Sequence, residues 1–273
     1  MAARLSSAIP PTGFCQTPRC RKCILVSESN KETAPSRLFV KGLEVRHGFF
    51  QAVHGVDISV AAGEVVSIIG ANGAGKSSLL TALMGAVTVS AGSVQWREQE
   101  IANAATADII KSGIALVPEG RRLFATLTVD ENLNIGQSTG RPGPIDKDTV
   151  FTWFPALREH RFRKAGELSG GQQQMVALGR AMLANPEILL CDEISLGLAP
   201  TIVKDMYKVL LDLRDTGVGI ILVEQDITRS LDVADRFYCM LEGRITLEGN
   251  PGDVDRDTVA RHYFGTHTEE EQT

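Results

Sequence analysis

The stretch that decides the fold is a short apolar run followed by a glycine-rich segment, Val65-Val66-Ser67-Ile68-Ile69-Gly70-Ala71-Asn72-Gly73-Ala74-Gly75-Lys76-Ser77. Residues 65–69 have the length of a buried strand, and apolar residues then recur at helical spacing, at Leu79, Leu80, Leu83 and Met84. The loop between them fits the phosphate-binding pattern G-x-x-x-x-G-K-[ST]. A glycine-rich turn without a ligand is the alternative, but it does not require this strand–loop–helix order.

Each part of the loop has an expected role toward ATP. The glycines allow the backbone to wrap the phosphates, and amides at the start of the helix are expected to point at the β-phosphate. Lys76 is expected to bridge the β- and γ-phosphate oxygens, and the Ser77 hydroxyl to hold Mg²⁺. The predicted nucleotide-binding residues of the loop are Gly70, Ala71, Asn72, Gly73, Ala74, Gly75, Lys76, Ser77 and Ser78.

Two adjacent carboxylates end a second apolar run, Ile188-Leu189-Leu190-Cys191-Asp192-Glu193. Such a run is typical of a strand covered on both faces of a parallel sheet, so its end is expected beside the phosphate loop. Asp192 suits Mg²⁺, which prefers oxygen ligands, whereas Glu193 is expected to orient the attacking water and accept its proton. A solvated turn is the usual role of Asp-Glu after a strand, but the phosphate loop favours the catalytic interpretation.

The apolar pattern as a whole predicts an α/β domain with a helical insertion. Strands are predicted over 38–46, 56–60, 65–69, 92–96, 188–191 and 220–223, with a short helix over 107–112. A capping box at Thr128-Val129-Asp130-Glu131 begins a region where helices are predicted to dominate until about Asn185. Residues 1–37 are predicted to be a disordered extension, 38–265 the folded domain and 266–273 an acidic tail.

A third motif, Leu168-Ser169-Gly170-Gly171-Gln172, opens a predicted helix. A serine hydroxyl and glycine amides at a helix start form an anion site that lacks a lysine. The motif resembles the signature of the ABC ATPase family, and the resemblance extends over about residues 38–265. It implies a P-loop NTPase core with a mainly parallel sheet, an antiparallel β subdomain and a helical subdomain that carries the signature. It also implies a dimer in which the signature acts on the partner's ATP through Ser169, Gly170, Gly171 and Gln172.

Within that family, the chain is most similar to the smaller ATP-binding subunit of branched-chain amino acid uptake transporters. The similarity lies in four segments: Val117-Pro118-Glu119-Gly120-Arg121-Arg122-Leu123-Phe124, Ser195-Leu196-Gly197-Leu198-Ala199-Pro200, Leu222-Val223-Glu224-Gln225 and Tyr263-Phe264-Gly265. It implies partners of three kinds: a second, longer ATPase subunit, integral membrane permease subunits, and a periplasmic or lipid-anchored substrate-binding protein. A homodimer remains the alternative to the heterodimer. The implied location is peripheral, at the cytoplasmic face of the cell membrane.

Four positions depart from the general pattern of the family. Glu119 replaces a glutamine that contacts Mg²⁺ and the permease, and its carboxylate can still reach the metal. Gln225 replaces the histidine that touches the γ-phosphate; its amide donates a hydrogen bond but cannot hold a proton. Slower hydrolysis than in a relative with histidine is therefore expected. Ile194 replaces a proline, and Ala199 an aspartate at the subunit interface.

His47 occupies the place where an aromatic residue of the family, usually tyrosine, stacks on adenine. An imidazole can stack, though over a smaller area than a phenol ring. His47 is the preferred candidate, and Phe49 or Phe50 is the alternative, with His47 then an exposed loop residue.

Composition and charge exclude several other classes of protein. The net charge of −5 gives no general attraction for nucleic acid, which is therefore not an expected partner. The apolar runs are far shorter than the ~20 residues of a membrane-spanning helix. Cys15, Cys20 and Cys23 have the spacing of an iron–sulfur loop, but a fourth ligand is missing because Cys191 and Cys239 lie in apolar, strand-like runs.

Two further functions stay open as alternatives. A soluble ABC ATPase of DNA repair or translation is disfavoured, since the spacing from Gly70 to Ser169 leaves no room for a long coiled coil and the chain has one phosphate loop. An importer of urea or short amides is the other, because ATPase subunits of such systems share the Val-Glu-Gln segment. Pro118-Glu119-Gly120-Arg121-Arg122 favours amino acids as the cargo.

Overall fold

A computed structural model describes residues 37–265 of the 273-residue chain. The predictions for the N-terminal extension, for Cys15, Cys20 and Cys23, and for the acidic tail lie outside these residues.

Ten strands in the described residues form two sheets, and their bounds are β1 Arg37–His47, β2 Phe50–Ala61, β3 Val65–Ile69, β4 Val89–Trp96, β5 Gln99–Glu100, β6 Ile114–Val117, β7 Ile188–Asp192, β8 Gly219–Glu224, β9 Arg236–Leu241 and β10 Arg244–Gly249. The larger sheet has the order β10-β9-β3-β8-β7-β6, and every neighbouring pair except β9–β10 is parallel. The smaller sheet, β2-β1-β4-β5, is antiparallel.

Helices alternate with the strands of the larger sheet, and those in the described residues are α1 Lys76–Leu83, α2 Thr106–Ser112, α3 Val129–Gln137, α4 Lys147–Trp153, α5 Pro155–Glu159, α6 Gly170–Met182, α7 Pro200–Arg214, α8 Ile227–Val233 and α9 Arg256–Phe264. Helices α3 to α6 lie between β6 and β7 and form the predicted helical insertion. The predicted combination of a mainly parallel sheet, an antiparallel sheet and a helical insertion is confirmed.

The central strands are apolar because both of their faces are covered. Every residue of β3, β7 and β8 is buried, as expected for parallel strands between layers of helices. Since the three strands are adjacent and parallel, their carboxyl ends meet at one edge of the sheet. That edge brings together the loop after Ile69, the Asp192-Glu193 pair and the end of β8.

Local capping signals fix where two helices of the insertion begin. The Thr128 hydroxyl accepts a hydrogen bond from the amide of Glu131, whose carboxylate accepts one from the Thr128 amide, so the predicted capping box at the start of α3 is confirmed. Ser169 and Gln172 form an equivalent box at the start of α6. Each box satisfies backbone amides that would otherwise lack a partner in the first turn.

Among residues 37–265, no helix combines the length and the apolar character needed to cross a membrane.

Candidate active site

The loop between β3 and α1 has a backbone that requires glycine. Gly75 has φ +101°, in the left-handed region, and a Cβ atom there would collide with the carbonyl oxygen of Ala52. Gly73 is also left-handed, with φ +82°. The chain then enters α1 directly at Lys76, so the first amides of the helix are available to a ligand.

Lys76 is a buried cation held by three protein oxygens. Its side chain is 3% exposed, and Nζ donates hydrogen bonds to the carbonyl oxygens of Gly70 at 2.7 Å and Ala71 at 3.0 Å. The Oε1 atom of Glu193 lies 3.3 Å from the same nitrogen. The lysine is thus fixed between the phosphate loop and the end of β7.

Asp192 and Ser77 meet across the sheet edge. The Ser77 hydroxyl donates a hydrogen bond to Oδ1 of Asp192 at 3.1 Å. Burial raises the pKa of Asp192 to about 6, although the bond from Ser77 acts in the opposite direction. A carboxylate and a hydroxyl at this distance supply two hard oxygen ligands of the type that Mg²⁺ prefers.

Glu193 sits at a sharp turn directly after β7. Its φ of +47° is rare for a residue with a side chain, and its backbone amide donates to the carbonyl oxygen of Val223 at 3.0 Å. The side-chain amide of Gln225 donates a short hydrogen bond to Oε2 of Glu193. The two residues predicted to be catalytic are therefore in direct contact.

A cavity of about 260 Å³ lies over the phosphate loop. The residues that line it are His47, Phe50, Ala52, Asn72, Gly73, Gly75, Lys76, Ser77, Ser78, Glu119 and Glu193. His47 Nε2 lies 3.0 Å from the Ser78 hydroxyl, a contact that helps to hold the imidazole in the lining of the cavity. Phe50 also lines the cavity, whereas Phe49 is fully exposed and does not. Both His47 and Phe50 remain candidates for the adenine contact.

The signature motif lies apart from the cavity, since none of Ser169, Gly170, Gly171 and Gln172 lines it. Ser169 is exposed at the N-terminus of α6. Its hydroxyl accepts the amide hydrogen of Gln172 at 3.3 Å. The helix start faces outward, where it is accessible to a second molecule.

Comparisons with known proteins establish the family of the chain. The family model described as ABC transporter matches residues 53–195, more than half of the chain. The chain belongs to the ABC transporter family. Its ATP-binding cassette is an ATPase, and the predicted family membership is confirmed.

Several relatives and solved structures cover most of the cassette. The high-affinity branched-chain amino acid transport ATP-binding protein BraG of Pseudomonas aeruginosa is 43% identical over 203 residues, 74% of this chain and 87% of that protein. A probable branched-chain amino acid transport ATP-binding protein, LivF of Archaeoglobus fulgidus, is 35% identical over 73% of this chain and 86% of its own length. The ADP conformation of MJ1267, an ATP-binding cassette of an ABC transporter, superposes with a TM-score of 0.72 at 30% identity, over 84% of this chain and 99% of that one.

Beside the cavity, the loop that carries Glu119 is tied to the signature helix of the cassette. Arg121 and Arg122 have left-handed φ values of +67° and +44°. The guanidinium of Arg180, on α6, donates to the carbonyl oxygens of both, at 3.2 and 2.9 Å. Arg121 also donates to Oε1 of Gln173 at 3.1 Å. Sequence reasoning missed these contacts, because Arg180 lies in a helical pattern without a motif of its own.

Proposed function

We propose that this cassette hydrolyses ATP to drive an ABC importer of branched-chain amino acids. The observation that carries the proposal is the meeting of Lys76, Asp192 and Glu193 at one sheet edge, beside a cavity that is lined by Lys76 and Glu193 and also by His47. The cargo is supported by the relatives BraG and LivF, whose names specify branched-chain amino acid transport.

The residues at this edge of the larger sheet support hydrolysis of ATP by an attacking water molecule. The phosphate-loop amides and Lys76 hold the β- and γ-phosphates, with the ammonium exchanging protein oxygens for phosphate oxygens. Glu193 accepts a proton from the attacking water, whose oxygen bonds to the γ-phosphorus while the bond to the bridging oxygen breaks and ADP leaves. Gln225 orients the Glu193 carboxylate by the hydrogen bond that it donates.

The oxygen ligands present fit Mg²⁺. Ser77 and Asp192 are already 3.1 Å apart, and Glu119 lines the same cavity. In nucleotide sites Mg²⁺ is typically held by one or two carboxylates together with substrate phosphates, so these few oxygen ligands suffice. When bound, Mg²⁺ neutralises charge that develops on the β- and γ-phosphate oxygens.

The exposed start of the signature helix supports a dimer in which each nucleotide cavity is completed by residues 169–172 of the other subunit. Glycine amides and a serine at a helix N-terminus bind anions without a further cation. A second, longer ATPase subunit is the proposed partner, and a second copy of this chain is the alternative.

ABC ATP-binding subunits of transport systems work with membrane permeases, and we extend this to the present chain. Phe124, half exposed next to the loop that Glu119 belongs to, is a contact of the type that a short apolar permease helix needs. A periplasmic or lipid-anchored substrate-binding protein completes the proposed importer. Its ATPase then lies at the cytoplasmic face of the membrane.

The test is transport by the complex that co-purifies with this chain from membranes. After reconstitution in vesicles, ATP is expected to drive uptake of labelled leucine, isoleucine or valine, and the Ser169→Ala variant is expected to lose turnover while it still binds ATP. Ser138→Ala, at an exposed serine that follows α3, is the matched control. Uptake of urea without uptake of amino acids contradicts the cargo, and full turnover of a permanent monomer contradicts the mechanism.

A further inference from the structure

A buried carboxylate at the end of β8 has no role in the step described above. Glu224 is 2% exposed and accepts three hydrogen bonds. The amide of Ser195 donates to Oε1 at 3.1 Å, the Ser195 hydroxyl to Oε2 at 2.8 Å, and the Tyr207 hydroxyl to Oε1 at 3.0 Å. Ser195, Tyr207 and Glu224 are named here the Glu224 cluster.

The cluster lies directly beside the two residues proposed to act on the water. Glu224 immediately precedes Gln225, and Ser195 follows Glu193 by two residues. Two cross-links therefore run side by side between the end of β7 and the end of β8: Gln225 donates to Glu193, and Ser195 donates to Glu224. Tyr207 anchors the second cross-link to α7.

The conformation of Glu193 explains why a second cross-link is needed. Its φ of +47° is sparsely populated for a side-chain-bearing residue, and such a conformation persists only where the surroundings hold it. The contact from Ser195 fixes the turn on the C-terminal side of Glu193, while the Val223 carbonyl fixes its amide. The Glu224 carboxylate, held by Ser195 and Tyr207, also fixes the backbone from which the neighbouring Gln225 projects.

We propose that Glu224 is a positioning residue for ATP hydrolysis, which acts with Ser195 and Tyr207 to hold Glu193 and Gln225 in register. The inference rests on the proposed roles of Glu193 and Gln225. The cluster does not line the nucleotide cavity, so its effect falls on the hydrolytic step and not on nucleotide binding.

Two substitutions of Glu224 distinguish a positioning role from a role of its negative charge, because they differ in the hydrogen bonds that they can make. In Glu224→Gln the remaining carbonyl oxygen can accept from the Ser195 amide and the Tyr207 hydroxyl, while the new NH₂ group donates to the Ser195 hydroxyl. All three contacts survive with the charge removed. Glu224→Leu has a similar size and keeps none of them.

The experiment measures kcat of the purified transporter complex and, separately, equilibrium binding of a fluorescent ATP analogue. Ser195→Ala, Tyr207→Phe and Glu224→Leu are each expected to lower kcat about 10- to 100-fold, the loss typical of a misplaced catalytic group. Affinity for the analogue is expected to stay within about twofold of the parent, because no cavity residue changes. Glu224→Gln is expected to recover most of the turnover that Glu224→Leu loses.

A buried serine on another helix that packs against the larger sheet supplies the matched control. Ser230 on α8 is fully buried, and its hydroxyl has no hydrogen-bond partner among the described residues. Ser230→Ala is expected to leave kcat at the parent value. Tyr207→Phe conserves volume, so it tests the proposal even if Glu224→Leu fails to fold.

Three results overturn the inference: unchanged kcat in Ser195→Ala and Tyr207→Phe, equal losses in kcat and nucleotide affinity, or a Glu224→Gln variant as slow as Glu224→Leu. Glu193→Gln separates this failure from that of the proposed function. If Glu193→Gln is inactive while the cluster variants turn over normally, only the positioning role is wrong. If Glu193→Gln itself turns over normally, the proposed role of Glu193 is wrong.

Discussion

Lys76 Nζ and Glu193 Oε1 lie 3.3 Å apart, so the phosphate-loop cation is paired with the carboxylate that follows β7. Both side chains are buried, and the lysine also bonds two loop carbonyl oxygens. Phosphate oxygens would compete for the same ammonium, so we expect ATP binding to release Glu193 toward the water that we propose it deprotonates. The ion pair between Lys76 and Glu193 is therefore expected to couple nucleotide binding at the phosphate loop to the position of the Glu193 carboxylate.

Glu193→Gln is expected to bind ATP more tightly and to hydrolyse it at least about 100-fold more slowly. The amide removes a negative charge beside the γ-phosphate, and it cannot accept the proton of the attacking water. Nucleotide binding and phosphate release measured on the purified complex check both parts. Glu159→Gln, at an exposed position on α5, is the control, and near-normal phosphate release by Glu193→Gln contradicts the assignment.

Glu224→Gln is expected to change how stability depends on pH. Burial raises the pKa of Glu224 above its ordinary value of 4.5, so the folded protein holds this proton more tightly than the unfolded chain. The parent's free energy of unfolding therefore falls as the pH rises from about 4.5 through the folded-state pKa, and the glutamine variant lacks that loss. The difference in thermal midpoint, variant minus parent, should grow as the pH rises above about 4.5 in a thermal-shift series. A difference that stays constant over this range counts against the raised pKa.

Gln225→His is expected to raise turnover about fivefold or more. An imidazole at this position both donates a hydrogen bond and holds a proton, which stabilises charge on the γ-phosphate better than an amide does. Steady-state phosphate release by the assembled complex is the measurement, with Gln225→Ala as the comparison that removes the donor. Turnover that does not respond to histidine disproves the expectation of slow hydrolysis.

Gly136→Ala tests the packing of the helical insertion. Gly136 lies on α3, and a Cβ atom there would collide with the backbone carbonyl of Arg180 on α6. The variant should lose about 1–3 kcal/mol of unfolding free energy, even though alanine is the better helix former. Gln137→Ala, exposed on the same helix, is the control for propensity alone. Equal denaturation midpoints for the two variants argue against the close approach of α3 and α6.

The elements that the sequence predicted well are those with a local physical signature. Residues 65–69 and 188–191 were predicted as strands because an apolar run bounded by turn residues has few other solutions, and β3 and β7 have nearly these bounds. The capping box at Thr128 needs only four residues and was also correct. Helices α7, α8 and α9 were not predicted, although each has a local start signal: Pro200 lies in the first turn of α7, and the side chains of Asp226 and Asp255 cap α8 and α9.

By itself the sequence determined the fold class through its apolar pattern as a whole, and it located the phosphate loop and the Asp192-Glu193 pair because each is a short local motif. Only the tertiary structure decided which of these groups touch: Lys76 with Glu193, Ser77 with Asp192, and Ser195 and Tyr207 with Glu224. Those contacts join residues that are not neighbours in the chain, and they exist because adjacent parallel strands bring their carboxyl ends to one edge and α7 packs beside it. Strand order sets that meeting, and no local pattern of residues records it.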